Sequence, residues 1–491
     1  MSGKVEWLLN CKPRPVQEEA LRRSFYAPPH PKRGWGHFLE MRLGKTPTAL
    51  NEFLLLQKYH GVKHLLVVAP NKYKASWEEE AKRLMKDPPP CRVFKSGKES
   101  ERFIASSADK PAMLFTNYEA VRSHLRLLQI KEFASNAPTL LVLDESAMMK
   151  NPAAKVTKAI LKHLIPGPKS GNSVKYVRCL SGLPAPYAPY DLWSQLKAMG
   201  ENTLFGKPST FWAFKQQFTE FGGWMGKVPV GPKNEKELDK IMTAASFRAK
   251  QKDWGITQGV DYEVVNLDMC KEQVKAYKEM TKDFLLLLEG SEPVTVETVL
   301  AKHMKLQQIS SGFIYGDDSE PIPIVPFRDT PKMKDLIDRL LHYLDTKVLI
   351  FAHHRYTIQR LMWSLHHFNP ARITGGMSDA QIIHERARFN TDDSCRVLVA
   401  QSTSAKYGHT LVGSKAMPCN SICFFENNYN LDTRIQCEAR PQGPHRKSPL
   451  HVWDYCSSPI ERKIVDTLNK RKKVSANVIM KFYKEASSAL Q

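Results

Sequence analysis

Glu40-Met-Arg-Leu-Gly-Lys-Thr46 and Leu143-Asp-Glu-Ser-Ala-Met-Met-Lys-Asn151 hold the residue types that phosphate chemistry demands. In the first, Gly44 lets backbone amides approach a phosphate, and a helix starting there favours negative charge. Lys45 would reach the β- and γ-phosphates of a bound nucleotide, and the Thr46 hydroxyl would ligate Mg²⁺. In the second, Asp144 and Glu145 follow the apolar run Leu140-Leu-Val-Leu143, at the strand end where open α/β sheets bind ligands. Adjacent carboxylates there divide into Mg²⁺ binding by Asp144 and water orientation by Glu145. Each segment alone has a plainer explanation: a chance Gly-Lys-Thr at a helix start, or an acidic pair capping a helix. The full phosphate-loop pattern also wants a second glycine five residues before Gly44, where Leu39 stands. Found together in this order, the two segments point to ATP hydrolysis with Mg²⁺.

Such groups need a sheet to hold them. Leu65-Leu-Val-Val-Ala69, Ala112-Met-Leu-Phe115, Leu140-Leu-Val-Leu143 and Tyr176-Val-Arg-Cys-Leu180 are short and apolar, as buried parallel strands are. Helical patterns at Lys74–Met85 and Asn151–Leu164 lie between them, and the alternation predicts an α/β fold. Turn-rich loops are expected at Pro166–Gly171 and around Pro229–Pro232. From about Asp261 the rhythm restarts: helices over Lys271–Leu288 and Val296–Ile309, a surface loop over Gly316–Pro331, then strands at Val348–Ala352, Val397–Ala400 and Ile422–Phe425. The spacing predicts two α/β lobes, 1–258 and 259–491, with a nucleotide cleft at their junction.

At 491 residues the length corresponds to roughly three domains, or two large ones, and 42% apolar residues suffice for real cores. The N-terminus lacks a signal pattern, and no apolar run approaches a membrane span. The nine cysteines are scattered; Cys419 and Cys423, without a second pair, read as core in a reducing cytosol rather than a zinc site. The net charge of +22 implies a polyanionic partner, because each neutralised phosphate releases counterions. Solubility needs far less charge. Composition alone does not separate DNA from RNA.

The ordered motifs resemble those of superfamily-two motors of the Swi/Snf type, along nearly the whole chain. Pro13-Arg-Pro-Val-Gln17 is similar to the family's opening motif, which implies adenine recognition by Gln17 with Arg14 beside it. Val67-Val-Ala-Pro70 with Trp77 and Glu78 resembles "VxP…W…E", and Phe115-Thr-Asn-Tyr118 resembles "TxY". Asp144-Glu-Ser…Lys150-Asn-Pro152 is similar to "DEAH…KNP", and Leu180-Ser-Gly-Leu-Pro184 with Leu192-Trp193 to "LTGTP…LW". In the second half, Leu306-Gln-Gln-Ile…Gly312 resembles "LRQICSG", and Val348–His354 has the form of the annealing-helicase (fork-remodelling) subgroup. Thr374-Gly-Gly376, Ser402–Leu411 around Gly408, and Gln436-Cys-Glu-Ala-Arg440 continue the order. The resemblance implies two tandem RecA-like lobes, a helical insertion and a basic C-terminal helix in the second, and ATP-driven translocation on duplex DNA. It assigns hydrolysis to Lys45, Asp144, Glu145, Gln436 and Arg440, and nucleotide binding also to Gly408. It implies backbone contacts by Lys72, Lys74, Thr116, Thr374, Ser402 and Thr403.

Three positions depart from the pattern. Arg42 stands where the family has its first loop glycine, Leu183 where it has threonine, and Gly443 where the sixth motif has a second arginine. Arg446 is a candidate substitute for that arginine, with Arg440 dominant. His353-His354 reads as a strand-end surface pair rather than metal ligands. Phe211-Trp-Ala-Phe214…Phe218 reads as packing ahead of base stacking, and the basic tail Lys463–Lys484 as a phosphate contact or a solvated face. The rival readings are a strand-separating helicase and a catalytically silent nucleic-acid scaffold. With little beyond the two lobes, a bacterial or viral setting and a cytoplasmic location are expected, or a nuclear one in a eukaryote; no membrane partner is.

Overall fold

The computed structural model describes all residues except 1–4, 29–30, 72, 166–172, 201–209, 223–227, 256–258, 290–295, 317, 343–344, 406–409, 443–447 and 471–491. The chain forms two compact units, one holding Met1–Ile256 and one holding Thr257–Arg471.

The first unit is built on seven parallel strands: β1 (Gly34–Leu39), β2 (His64–Ala69), β3 (Cys91–Val93), β4 (Ala112–Asn117), β5 (Thr139–Asp144), β6 (Val174–Leu180) and β9 (Ser246–Ala249). Their order across the sheet is β3-β4-β2-β5-β6-β1-β9. A small antiparallel hairpin, β7 (Thr219–Gly222) and β8 (Val228–Pro232), lies outside the sheet. The apolar runs of β2 and β5 are buried along their whole length because helices cover both faces. Leu66, Val68, Leu141 and Leu143 enter one core; Leu65, Val67, Leu140 and Val142 enter the other.

The second unit repeats the plan with six parallel strands: β10 (Val260–Asn266), β13 (Lys347–Ala352), β14 (Ala371–Ile373), β15 (Val397–Gln401), β16 (Cys419–Phe424) and β17 (Leu450–Cys456). The order is β10-β17-β16-β13-β15-β14. The expected α/β class and the parallel sheets flanked by helices are present in both units. Cys419 and Cys423 are buried core residues of β16.

Three local expectations are corrected. The turn-rich loop expected around Pro229–Pro232 is the strand β8, paired antiparallel with β7. The helix expected over Asn151–Leu164 begins only at Lys155, because the Asn151 side chain accepts the Ala153 amide at 2.9 Å and holds a turn. The loop expected over Gly316–Pro331 contains β12 (Pro321–Pro323), paired antiparallel with β11 (Phe313–Tyr315) as a two-stranded ribbon. The loop Pro166–Gly171 lies outside the described residues. No described helix is long and apolar enough to cross a membrane.

Candidate functional site

Strands β4, β2, β5, β6 and β1 are neighbours and all parallel, so their C-terminal ends lie along one side of the first sheet. The chemistry-bearing residues sit there. After β1 the chain turns through Arg42 and Gly44, both with positive φ (68° and 87°), into the helix Lys45–His60. Gly44 is required twice. Its backbone is left-handed, and a Cβ there would come within 2.2 Å of Gln17 Nε2. Arg42 holds the same left-handed geometry without that freedom, a strain of about 1–2 kcal/mol.

Gln17 is almost fully buried and locks this turn: its Oε1 accepts the Arg14 amide at 2.8 Å, and its Nε2 donates to the Gly44 carbonyl at 3.1 Å. The Arg14 guanidinium in turn donates to the Arg42 carbonyl. An amide side chain has two N–H donors and two lone pairs on oxygen, so one of each remains, the pair an adenine edge would engage. Lys45 Nζ donates to the Leu39 carbonyl at 3.0 Å. A Cβ on Gly182 would lie 3.5 Å from the same nitrogen, so the loop after β6 packs directly over the lysine. Thr46 is half-buried in the first helical turn.

Asp144 ends β5 in a buried position. Trp77 Nε1 donates to its Oδ2 at 2.9 Å, the Glu145 amide to its Oδ1 at 3.0 Å, and the Tyr118 hydroxyl to its main-chain carbonyl at 2.8 Å. Burial pushes the carboxyl above the ordinary range, while the Trp77 bond, the Lys45 charge and the Glu145 amide pull it back. The Lys45 effect places that ammonium in electrostatic reach of Asp144. Glu145 follows with φ +48°, a left-handed turn that is costly for a non-glycine residue, and its side chain is half-buried.

Each Asp144 oxygen keeps one lone pair beyond its protein donor. With the Thr46 hydroxyl this is an all-oxygen set of the hard kind Mg²⁺ prefers, and Mg²⁺ commonly takes one or two protein ligands and completes its shell with phosphate and water. Among the described residues no group of three or more His, Cys, Asp or Glu could hold a metal by itself. The residues therefore fit Mg²⁺ carried with a nucleotide, and not a dedicated protein-only metal centre.

Sequence reasoning missed the residues that hold these groups in place. Gln195 is fully buried; its Oε1 accepts the Ser146 hydroxyl at 2.7 Å and its Nε2 donates to the Pro184 carbonyl at 2.7 Å, tying the Asp-Glu turn to the loop after β6. Glu52, on the helix that Lys45 begins, accepts Arg178 from β6 at 2.7 Å and pairs with His37 of β1 at 2.9 Å, all three fully buried. Burial alone would raise the Glu52 carboxyl, but Arg178 and His37 hold it well below the ordinary range. A charged residue inside the run Ala49-Leu-Asn-Glu-Phe-Leu-Leu-Leu56 was the available signal.

In the second unit, Gln436 is buried; its Nε2 bonds Asp432 at 2.9 Å, and its Oε1 has no hydrogen-bond partner among the described residues. Arg440 Nε donates to the Gln436 carbonyl at 2.7 Å, so the two are neighbours across one helical turn. Arg434, not singled out from sequence, anchors the same helix by bonding Asn427 at 2.7 Å and Asp454 at 2.9 Å.

The expected nucleic-acid residues divide. Lys74 is half-buried at the start of the helix Lys74–Leu84, Thr374 is half-buried just after β14, and Thr403 is exposed. Thr116 is fully buried within β4, its hydroxyl without a partner among the described residues, so no backbone phosphate can reach it. Ser402 is also buried, its hydroxyl on the Ala352 carbonyl at 3.4 Å. Both are expected nucleic-acid contacts, but Thr116 is enclosed in the first unit, and Ser402, which opens a short helix after β15, turns back to the end of β13. Lys72, Gly408, Gly443, Arg446 and the tail from 471 lie outside the described residues. His354, expected at the surface, is buried against Phe313 with ring centroids 5.6 Å apart, and burial lowers its pKa. Phe214 and Phe218 are core residues, whereas Trp212 is 70% exposed.

The sequence profile of the SNF2-related domain matches residues 5–312. The "SWI/SNF-related matrix-associated actin-dependent regulator of chromatin subfamily A-like protein 1" of Xenopus tropicalis is 23% identical over 429 residues, covering 84% of this chain and 39% of that protein. Its Xenopus laevis counterpart gives the same figures. The chain thus spans about two fifths of the length of these curated relatives. Among solved structures, the Sulfolobus solfataricus SWI2/SNF2 ATPase core in complex with dsDNA is 20% identical, with a TM-score of 0.43 over 96% of this chain and 94% of that chain. With the profile covering more than half of its length, the chain belongs to the SNF2-related domain family, a membership that implies nucleotide binding.

Proposed function

We propose that this chain is an ATP-dependent, duplex-DNA-stimulated translocase. The observation that carries the reading is Asp144: a buried carboxyl at a strand end, raised by burial and pulled back by Lys45 from the neighbouring phosphate-loop turn. The remaining amide N–H and lone pair of Gln17 select adenine. Lys45 exchanges its bond to the Leu39 carbonyl for the β- and γ-phosphates, and the Gly44 turn presents backbone amides to them. Thr46 and Asp144 hold the Mg²⁺, which when bound neutralises phosphate charge and polarises the terminal phosphoryl group. Glu145, directly after Asp144 on its left-handed turn, orients the attacking water. Gln436 and Arg440 of the second unit are proposed as the pair that couples hydrolysis to movement. The +22 charge supports a polyanionic track, gripped through its backbone and therefore without sequence preference and with strong salt dependence.

Phosphate release with and without duplex DNA tests the reading. The native chain is expected to be stimulated by the duplex, Lys45→Ala to stay at background, and Arg440→Ala to bind nucleotide yet lose stimulated turnover. Equal background release from native chain and Lys45→Ala would instead support the silent scaffold. Triplex displacement without duplex unwinding distinguishes translocation from strand separation. Arg446→Ala, compared with Arg440→Ala, tests whether a second arginine contributes.

A further inference from the structure

Trp77 and Tyr118 both donate to Asp144, from the helices Lys74–Leu84 and Tyr118–Arg122 that follow two different strands. Trp77 follows β2 and reaches the carboxylate oxygen at 2.9 Å; Tyr118 follows β4 and reaches the main-chain carbonyl at 2.8 Å. Each ring is about 2% exposed, so neither hydrogen bond is shared with solvent. Asp144 is thereby fixed at two points, and the direction of its free lone pairs follows from where those two rings sit.

Both rings are attached within one turn to surface polar residues. The Trp77 amide bonds the Tyr73 carbonyl at 3.1 Å, about one helical turn after half-buried Lys74, which itself follows exposed Asn71. Tyr118 directly follows Asn117, whose Oδ1 caps the next helix through the Ala120 amide at 2.7 Å. The Asn117 Nδ2 donates to Asn71 Oδ1 at 2.5 Å, joining the two segments into one rim over β2 and β4. A buried ring with a polar tip commonly finds whatever acceptor is near. Here two such tips from separate helices converge on one residue, and it is the residue read above as the Mg²⁺ ligand.

We propose that Trp77 and Tyr118 are positioning residues that connect the rim of Asn71, Lys74 and Asn117 to Asp144, so that a nucleic-acid backbone held on the rim sets the orientation of the carboxylate that receives the cation. This rests on the function proposed above and assigns it a route for stimulation by DNA. A phosphate bound at the rim shifts the joined Asn71 and Asn117 segments as one unit, the rings move with their backbones, and Asp144 turns its lone pairs toward the metal position. Thr116, although on the same strand as Asn117, takes no part because it faces the core.

The test uses the full chain with ATP, Mg²⁺ and a blunt duplex. Trp77→Phe and Tyr118→Phe keep the rings and delete the donors; Asn71→Ala cuts the rim at an exposed site where folding is not at risk. Hydrolysis is measured across a Mg²⁺ titration with and without duplex, beside duplex affinity by fluorescence anisotropy and Mg²⁺-dependent binding of a fluorescent nucleotide. In the native chain the duplex should lower the half-saturating Mg²⁺ concentration. In either ring variant that shift should vanish and the fold of stimulation should drop at least fivefold, with duplex affinity within twofold of native. Asn71→Ala should lose stimulation partly, and the double ring variant should be less impaired than the product of the singles, as expected for one shared route. Ring variants that keep native stimulation and the native Mg²⁺ shift overturn the proposal. A native chain indifferent to duplex sinks the function itself, a result visible before any variant is made.

Discussion

Asp144 and Glu426 occupy comparable places in the two units, each a buried acid at or just beyond the C-terminal end of a central parallel strand, β5 or β16. Their surroundings differ. Glu426 accepts the His353 and His354 amides at 2.8 and 2.9 Å and the Thr357 hydroxyl at 2.6 Å, fastening the start of the helix Arg355–Ser364. Burial works against its charge, but His354 and the Thr357 hydroxyl outweigh it, and the carboxyl falls to about 2. His354 is itself lowered by burial and neutral near pH 7, so there the amide and hydroxyl donors carry the effect. Asp144 receives one donor on each oxygen and is left above the ordinary range. A carboxylate saturated by its own protein is a structural fastening. One left with spare lone pairs in a dry site suits the cation role proposed for Asp144.

Exchanging the acids for amides should separate these roles with the largest effects. Asp144→Asn removes a buried charge that burial disfavours but turns an amide NH2 toward either the Trp77 indole or the Glu145 amide, so the thermal midpoint should change little while stimulated hydrolysis falls roughly a hundredfold or more. Glu426→Gln turns amide hydrogens toward donors and should cost about 2–3 kcal/mol of unfolding free energy in the second unit. Chemical denaturation and phosphate release on both variants read this out. A stable Glu426→Gln with lost turnover would reverse the assignment.

The two carboxyls should also respond to pH in opposite directions. The Glu426 carboxyl lies below its unfolded value of about 4.3, so its stabilisation is present above that pH and is lost as pH falls through about 2. The Asp144 carboxyl is raised, so its contribution is present below the unfolded value of about 3.9 and lost as pH rises through the folded one. Asp191 provides a measurable member of the second class: burial lifts it to about 6, against bonds from the Tyr187 and Ala188 amides. Asp191→Asn keeps an oxygen for those amides. It should gain stability over the native chain between about pH 4 and 6, by roughly 2–3 kcal/mol at most, and match it below. Denaturation at a series of pH values checks the slope.

The parts of this comparison visible in sequence were those with a local pattern. Apolar runs such as Leu140–Leu143 and Val348–Ala352 gave the strands, and the Asp-Glu pair after β5 marked the site. β1 went unread because Gly34, Gly36 and His37 interrupt any apolar run, although it carries the phosphate-loop turn. β10 hid for the opposite reason: Asp261–Val264 is exposed along a sheet edge, so no burial selects its composition. Trp77, Tyr118, Gln195 and Arg178 act across 26 to 126 residues of sequence, and single-chain spacing carries no signal of such contacts. Thr116 departs from expectation because a motif fixes position along a strand, while the pleat decides which face a side chain takes; Ser402 does so because it opens the short helix after β15 and turns back onto the Ala352 carbonyl.

The smallest expected effect concerns Arg42, where this chain replaces a family glycine. The position has φ +68°, and the neighbouring turn residue that remains glycine has φ +87°, so the loop demands left-handed backbone at both. Arginine meets that demand at a cost of about 1–2 kcal/mol, partly offset because it restricts the unfolded chain more than glycine does. The Arg42 carbonyl, which receives the Arg14 guanidinium, belongs equally to glycine. Arg42→Gly should therefore raise the stability of the first unit by a net gain of about 1 kcal/mol or less, with the Gln17 lock and nucleotide binding retained. Thermal unfolding beside fluorescent-nucleotide titration measures both. If instead nucleotide affinity falls severalfold while stability rises, the guanidinium takes part in nucleotide binding, and the strain at this turn serves binding in the way proposed for Glu145 and water.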